Sequence, residues 1–228
     1  MDFSILQKNL GYLLWGAYAD GAIGGAALTM ILAIISALAS GVLGAILGVA
    51  LAMSRGRFNI ALTLVLGFFR AIPVLMLIFW SYFLLPIAFG IDVPGLVSVT
   101  VALSLIGGAY LAHSVNAGIR GIPEGQWSAG LSLGFTRMGV LREIILPQAL
   151  RMMAPSFVNQ WISLIKDTSL AYIVGVSELS FVAAQVNSRV MVHPAEIFLF
   201  VGAIYFVLCS SLDMLVATLS RRVSMAGT

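Results

Sequence analysis

Five polar residues, Asn159, Gln160, Ser163, Lys166 and Asp167, recur at the i, i+3, i+4, i+7 spacing of one helical face. The residues between and around them, Phe157, Trp161, Ile162, Leu164 and Ile165, are apolar. Thr168 and Ser169 add two hydroxyls directly after the charged pair. Amides, hydroxyls, an ammonium and a carboxylate in one row can hold a small polar solute and hand it on. They cannot break bonds unaided. An enzyme would need a nucleophile with a base beside it, yet Ser163 has no histidine at helical spacing and no aspartate pair is evident. Charges within an apolar segment are costly and normally face a bundle interior or a water-filled cavity. Two readings follow. The stripe lines a solute route, or it is a structural network in which Lys166 or Asp167 caps a helix end or pairs with Arg70.

A weaker stripe, Tyr110, His113, Asn116 and Arg120, repeats the pattern in an earlier segment. A lone histidine in a helix is more often a hydrogen-bonded structural group than a ligand. His113 and His193 stand in separate segments and make no metal site. The single cysteine, Cys209, excludes an internal disulfide.

These stripes need long apolar elements to carry them, and the composition supplies little else. Of 228 residues, 61% are hydrophobic and only 9% charged. Soluble domains hold about 25% charged residues, so this chain lacks the polar side chains to cover a water-facing surface. The net charge of +3 is spread without a basic run, which argues against a nucleic-acid partner. Charge-free windows place five transmembrane helices near 27–53, 60–88, 95–119, 153–177 and 196–219. The fold expected is all-α, an integral membrane protein forming one domain over residues 1–228. The runs are too long and too uniform for a barrel. Pro73 lies inside the second segment and lacks an N–H, so a kink or break is expected there, and residues 58–70 alternatively lie along the membrane surface.

Loop charges set the orientation. Arg55, Arg57, Arg120, Arg137, Arg142, Arg151, Arg221 and Arg222, eight of the twelve basic residues, fall in one set of loops. Asp20, Asp92, Glu178, Glu196 and Arg189 fall in the other. The positive-inside rule puts the N-terminus outside and the C-terminus in the cytoplasm. The first apolar stretch has no basic region before it and is too long for a cleavable signal. Residues 1–20 carry Ile5, Leu6, Leu10, Leu13 and Leu14 at helical spacing opposite Gln7 and Lys8, which suits a short surface helix as well as a loose lead-in. Gly41, Gly44 and Gly48 form a small-residue face for close helix packing.

The cytoplasmic loop 120–151 reads as two short helices around a glycine bend. Pro123 and Glu124 suit a first helical turn. Trp127, Gly130, Leu131 and Gly134 share one face, and Gly134 stands where a left-handed residue ends a helix. Thr136 caps a second helix that opens with Arg137 and carries Met138, Leu141 and Ile145 on one side, and Pro147 is expected to interrupt it. The apolar ridge seats in a partner's groove or packs on the protein's own helix ends.

This loop resembles the cytoplasmic motif of ABC-transporter permeases, in which Glu-Ala-Ala is followed by glycine and then by Ile-x-Leu-Pro. The chain has Ser128-Ala129-Gly130, Gly134 and Ile144-Ile145-Leu146-Pro147. It departs at Ser128, where glutamate is commoner, so an ion pair made there must come from Glu124 or elsewhere. Further segments are similar to the polar amino-acid importer branch: Phe69-Arg70-Ala71-Ile72-Pro73, Gly108-Ala109-Tyr110-Leu111-Ala112, Ile122-Pro123-Glu124-Gly125-Gln126-Trp127, Leu146 to Arg151 and Lys166-Asp167-Thr168-Ser169-Leu170. The stretch from Phe69 to Pro86 looks most like glutamate/aspartate permeases.

The resemblance implies a type I importer permease of the bacterial inner membrane, paired with an identical or paralogous permease. Cytoplasmic ATP-binding subunits and an extracytoplasmic amino-acid-binding protein would complete it. ATP and Mg would belong to the partner ATPase, and no cofactor or metal to this chain, which lacks a G-x-x-x-x-G-K-[ST] loop. It implies that Glu124, Trp127, Ser128, Ala129, Gly130, Leu131, Gly134, Arg137 and Met138 couple to the ATPase. Asp167, Lys166, Thr168, Ser169, Asn159, Gln160, Ser163, His113, Asn116 and Arg70 would serve the substrate. A self-contained channel or secondary transporter for small polar solutes is the alternative. It leaves the cytoplasmic helix pair without a task.

The topology is testable with single cysteines in a chain lacking Cys209. Positions beside Arg57, Thr136 and Met225 should react with an impermeant reagent only from the cytoplasm, and those beside Asp20, Asp92 and Arg189 only from outside. Labelling of position 136 from outside would overturn the five-span map.

Overall fold

A computed structural model describes residues 4–18, 21–191 and 194–225. Asp20 and His193 lie outside the described residues, as do the side chains of Ile5, Leu6, Arg221 and Arg222. The elements are α1 (Ser4–Trp15), α2 (Gly25–Met53), α3 (Gly56–Ala71), α4 (Val74–Phe79), a π turn (Trp80–Leu84), α5 (Leu85–Phe89) and α6 (Gly95–Arg120). There follow α7 (Glu124–Ser132), α8 (Arg137–Val140), a second π turn (Leu141–Ile145), α9 (Leu146–Asp167), a 3-10 segment (Thr168–Val174), α10 (Leu179–Val190) and α11 (Pro194–Met225). Among the described residues β pairing is limited to two isolated bridges, Gly16 with Ile23 and Gly25 with Glu178. The all-α expectation holds.

Three helices, α2, α6 and α11 over Pro194–Val216, are each long and apolar enough to cross a membrane alone, and α3 with α4–α5 makes a broken pair that together also qualifies. The second expected span is therefore not one helix. Ile72 and Pro73 are both extended, at φ/ψ −83°/132° and −58°/137°. Pro73 cannot donate, and the residue before a proline is pushed out of the helical region, so the chain breaks rather than bends. The expected helix 153–177 also differs. The α-helix starts earlier, at Leu146, and ends at Asp167, where it tightens to 3-10 until Gly175 takes φ +76°. Pro147 does not interrupt it. The π turn just ahead lets Leu146 N–H bond to the Leu141 carbonyl, and Pro147 follows with no N–H to place. Leu85-Pro86 follows the first π turn in the same way, with Leu85 N–H on the Trp80 carbonyl.

The described residues fall into two compact units. One comprises Met1–Ala37, Pro73–Leu103 and Trp161–Thr228; the other Leu38–Ile72 and Ser104–Gln160. In the first, Leu13 of α1 and Ala26 of α2 are buried with Leu179, Val182, Ala183 and Val186 of α10 and Ile197 and Val201 of α11. The N-terminal segment is thus a helix anchored by Leu13, not a loose lead-in. Helix α10 is absent from the sequence reading, which left 178–195 between two spans. Glu178 caps it, its two carboxylate oxygens accepting from Ser180 N–H at 2.9 Å and Phe181 N–H at 2.8 Å. Tyr205 also donates to that carboxylate, at 3.0 Å, which satisfies a fully buried acid.

In the second unit, α2 and α6 pack closely. A Cβ on Gly44 would collide with the Leu111 Cβ, and one on Gly48 would lie 2.5 Å from the Val115 Cβ and 2.6 Å from the Ala112 carbonyl. Below this, Val115, Ile119 and Ile122 are buried with Val140, Leu141, Ile145, Ala149 and Met153. Elsewhere large apolar side chains stay bare. Ile34, Leu38, Val42 and Ile46 form an exposed i, i+4 stripe on α2, and α11 exposes Phe198, Leu199, Phe206 and Val207. Such surface is untenable in water and suits lipid or protein neighbours.

Gly48→Leu should lower the detergent-solubilised unfolding temperature, since overpacking costs ~1–3 kcal/mol. Gly67→Ala, at a helical glycine with nothing within 4 Å, should leave it unchanged or raise it. Equal melting of Gly48→Leu and wild type would refute the close-packing account.

Candidate functional site

The stripe on α9 lies where the helix changes pitch. Lys166 and Asp167 are its last two residues, and Thr168 opens the 3-10 segment. Asn159 and Lys166 are exposed, and Gln160, Ser163, Asp167 and Ser169 are half-buried. Thr168 departs from its expected role. It is fully buried and its hydroxyl donates to the Ile165 carbonyl at 2.7 Å, so its proton serves the helix end and not the Asp167 carboxylate.

The second unit gathers Arg70 of α3 with the weaker stripe on α6. The Arg70 guanidinium lies 5.1 Å from the Tyr110 ring centroid, and Tyr110 Oη donates to the Arg70 carbonyl at 3.3 Å. Arg70 also stands in the last turn of α3, where the helix dipole favours a cation. His113 Nε2 and Asn116 Oδ1 are buried without a hydrogen-bond partner among the described residues. Unpaired polar atoms of this kind are uncommon and call for a guest or a water.

The α7–α8 pair is built as expected at its bend. Phe135 N–H bonds to the Gly130 carbonyl at 3.2 Å and Gly134 N–H to the Leu131 carbonyl at 3.0 Å, with Gly134 at φ +87°. This is the paired 6→1 and 5→2 closure of a helix ending in a left-handed residue. Thr136 then caps α8, its Oγ1 accepting from Gly139 N–H at 3.1 Å. The ridge itself is divided. Trp127 packs on the chain's own Val140–Ile145 cluster, with the Arg137 guanidinium 5.8 Å from its ring centroid. Gly130 is buried, and a Cβ there would meet Val140 at 2.7 Å and Ile144 at 3.0 Å. What faces outward is Leu131, Leu133 (76% exposed), Phe135 and Met138, beside exposed Glu124, Ser128 and Ala129. Met138 therefore parts from Leu141 and Ile145, which are buried.

Sequence reasoning missed α10. Its signal was present as Glu178 followed by Leu179, Val182, Ala183 and Val186 at i, i+3, i+4, i+7 from Leu179. It missed Gln126 and Gln148 as partners too, since nothing in their spacing announces a contact.

Residues 40–225 match the family described as binding-protein-dependent transport system inner membrane component. The glutamate/aspartate import permease protein GltK of Escherichia coli O157:H7 is 38% identical over 162 residues, 68% of this chain and 71% of the relative. The L-cystine transport system permease protein TcyB of Bacillus subtilis (strain 168) is 34% identical over 194 residues, 85% and 77% of the two chains. The fold matches a chain of a crystal structure of an amino acid ABC transporter with histidines at TM-score 0.84 and 25% identity, covering 97% of this chain and 99% of that one. The chain belongs to the family of inner membrane components of binding-protein-dependent transport systems. It has the type I ABC importer permease fold and is a permease subunit, a membrane component whose ATPase lies in a partner chain. The family implies ATP-binding subunits, a substrate-binding protein and a second permease.

Gly134→Val is strained by φ +87° although nothing crowds the position. It should uncouple ATP hydrolysis from uptake in reconstituted vesicles while the chain still inserts. Normal uptake would refute the tight bend as a working part.

Proposed function

We propose that this chain forms the translocation path of an ATP-driven importer for polar amino acids, with glutamate and aspartate as its cargo. The observation that carries the reading is the polar row on α9 ending in Lys166-Asp167 at a change of helical pitch. A zwitterionic solute fits it: Asp167 takes the ammonium group, and Lys166 the additional carboxylate of an acidic amino acid. Asn159, Gln160, Ser163 and Ser169 line the row. Arg70, His113 and Asn116, in the unit that also holds Asn159 and Gln160, offer a guanidinium and two polar atoms without partners among the described residues to a passing solute. The acidic cargo is supported by the GltK relative; TcyB and a glutamine permease, GlnP of Escherichia coli (strain K12) at 34% identity, support the broader class.

The N-terminus lies outside and the C-terminus in the cytoplasm. The bared Leu131, Leu133, Phe135 and Met138 seat in the ATP-binding subunit, which holds ATP and Mg. The chain partners an identical or paralogous permease and receives its cargo from the binding protein. The exposed apolar group on α7–α8 favours this over a self-contained channel, which has no use for it.

Asp167→Asn should weaken amino-acid-dependent uptake tenfold or more, about 1.4 kcal/mol, while the ATP-binding subunit still co-purifies. Poor assembly with near-normal apparent affinity would instead make Asp167 a structural residue.

A further inference from the structure

Gln148, in the first turn of α9, sends its side-chain amide to two acceptors. Nε2 donates to the Ile144 carbonyl at 2.7 Å and to Gln126 Oε1 at 3.4 Å. Ile144 belongs to the π turn, and Gln126 lies on α7 one turn before buried Gly130. The bridge thus joins the first cytoplasmic helix to the wide turn from which α9 springs.

That turn is the weak point of the helical run. Its i→i−5 bonding is less favourable than the α pattern, and Pro147 withholds a donor directly after it. A turn of this kind has a neighbouring state in which the surplus residue is absorbed and the following helix rotates. The Gln148 amide adds a side-chain donor at the Ile144 carbonyl, beside the turn that Pro147 leaves one donor short, and it ties that place to α7. Gly130 against Val140 and Ile144 provides a second, apolar seat beside it.

We propose that Gln148 is a positioning residue for energy coupling: by bridging Gln126 and the Ile144 carbonyl it holds the π turn, so that displacement of α7 is transmitted to the first turns of α9 instead of being absorbed at the turn. The proposal rests on the reading of α7–α8 as the seat of the ATP-binding subunit. Loss of the bridge leaves both helices folded but lets the turn yield.

The test uses the whole transporter, purified with its partner subunits and reconstituted with binding protein and a labelled mixture of amino acids. In Gln148→Leu, uptake per ATP hydrolysed should fall about threefold or more, the scale of one neutral hydrogen bond, with assembly at the wild-type yield. The pair Gln126→Glu with Gln148→Lys rebuilds the bridge, an ammonium donating to both acceptors, and should restore the ratio. An unchanged ratio in Gln148→Leu would overturn the proposal. So would uptake and hydrolysis falling together with poor assembly, or a double variant no better than the single one. The docking reading has its own observable: retention of the ATP-binding subunit by a Leu133→Asp chain refutes it and this proposal together, whereas failure at Gln148 alone leaves docking intact.

Discussion

The close approach of α2 and α6 at Gly44 and Gly48 is the constraint on which the seating of α7 and α8 depends. In lipid there is no hydrophobic gain from pressing two apolar helices together, so contact rests on van der Waals fit and small residues. Here the glycines admit Leu111, Ala112 and Val115 against the α2 backbone. That contact fixes the lower half of α6, and with it Val115, Ile119 and Ile122. Those three form one wall of the cluster in which Val140, Leu141 and Ile145 are buried. Helices α7 and α8 and the π turn after them are therefore seated on α6 by ordinary core packing.

This seating decides which residues of α7 are available to a partner. Trp127 and Gly130 face inward, Gly130 because any side chain would strike Val140. Leu131, Leu133, Phe135 and Met138 are left outside. Two readings of the ridge stood open from sequence, packing on self or docking on another chain. The self-packing reading holds for Trp127 and Gly130, and the residues it leaves exposed are those the docking reading requires, since a short amphipathic helix at a junction has two apolar directions. Ser128 sits on the exposed side, where its replacement of the commoner glutamate removes a charge from the outward surface without touching the core.

Much of this was legible in residue order alone. Long charge-free windows become α2, α6 and α11, and Gly134 and Thr136 mark the bend and cap that form there. Three things were not legible. Pro73 announces a break, but extended geometry at both Ile72 and Pro73 follows from steric detail that apolar windows ignore. Helix α10 was hidden because a window that searches for missing charge stops at Glu178, while the carboxylate is there to cap. Thr168 was grouped with the substrate residues as the next hydroxyl after the charged pair, yet where the helix tightens its hydroxyl turns onto the Ile165 carbonyl.

The π turn at Leu141–Ile145 has one more consequence, best expressed as phase. An α-helix advances about 100° per residue, and a single surplus residue offsets everything beyond it by that angle. Met138, Leu141 and Ile145 share a face when counted at 3.6 residues per turn, but Met138 is bare while the other two are buried. The azimuth at which α9 starts is set by this offset. The same offset recurs at Trp80–Leu84, again directly before Leu-Pro. In such a chain an insertion or deletion of one residue at either wide turn does more than lengthen or shorten a helix, because it re-aims every side chain downstream.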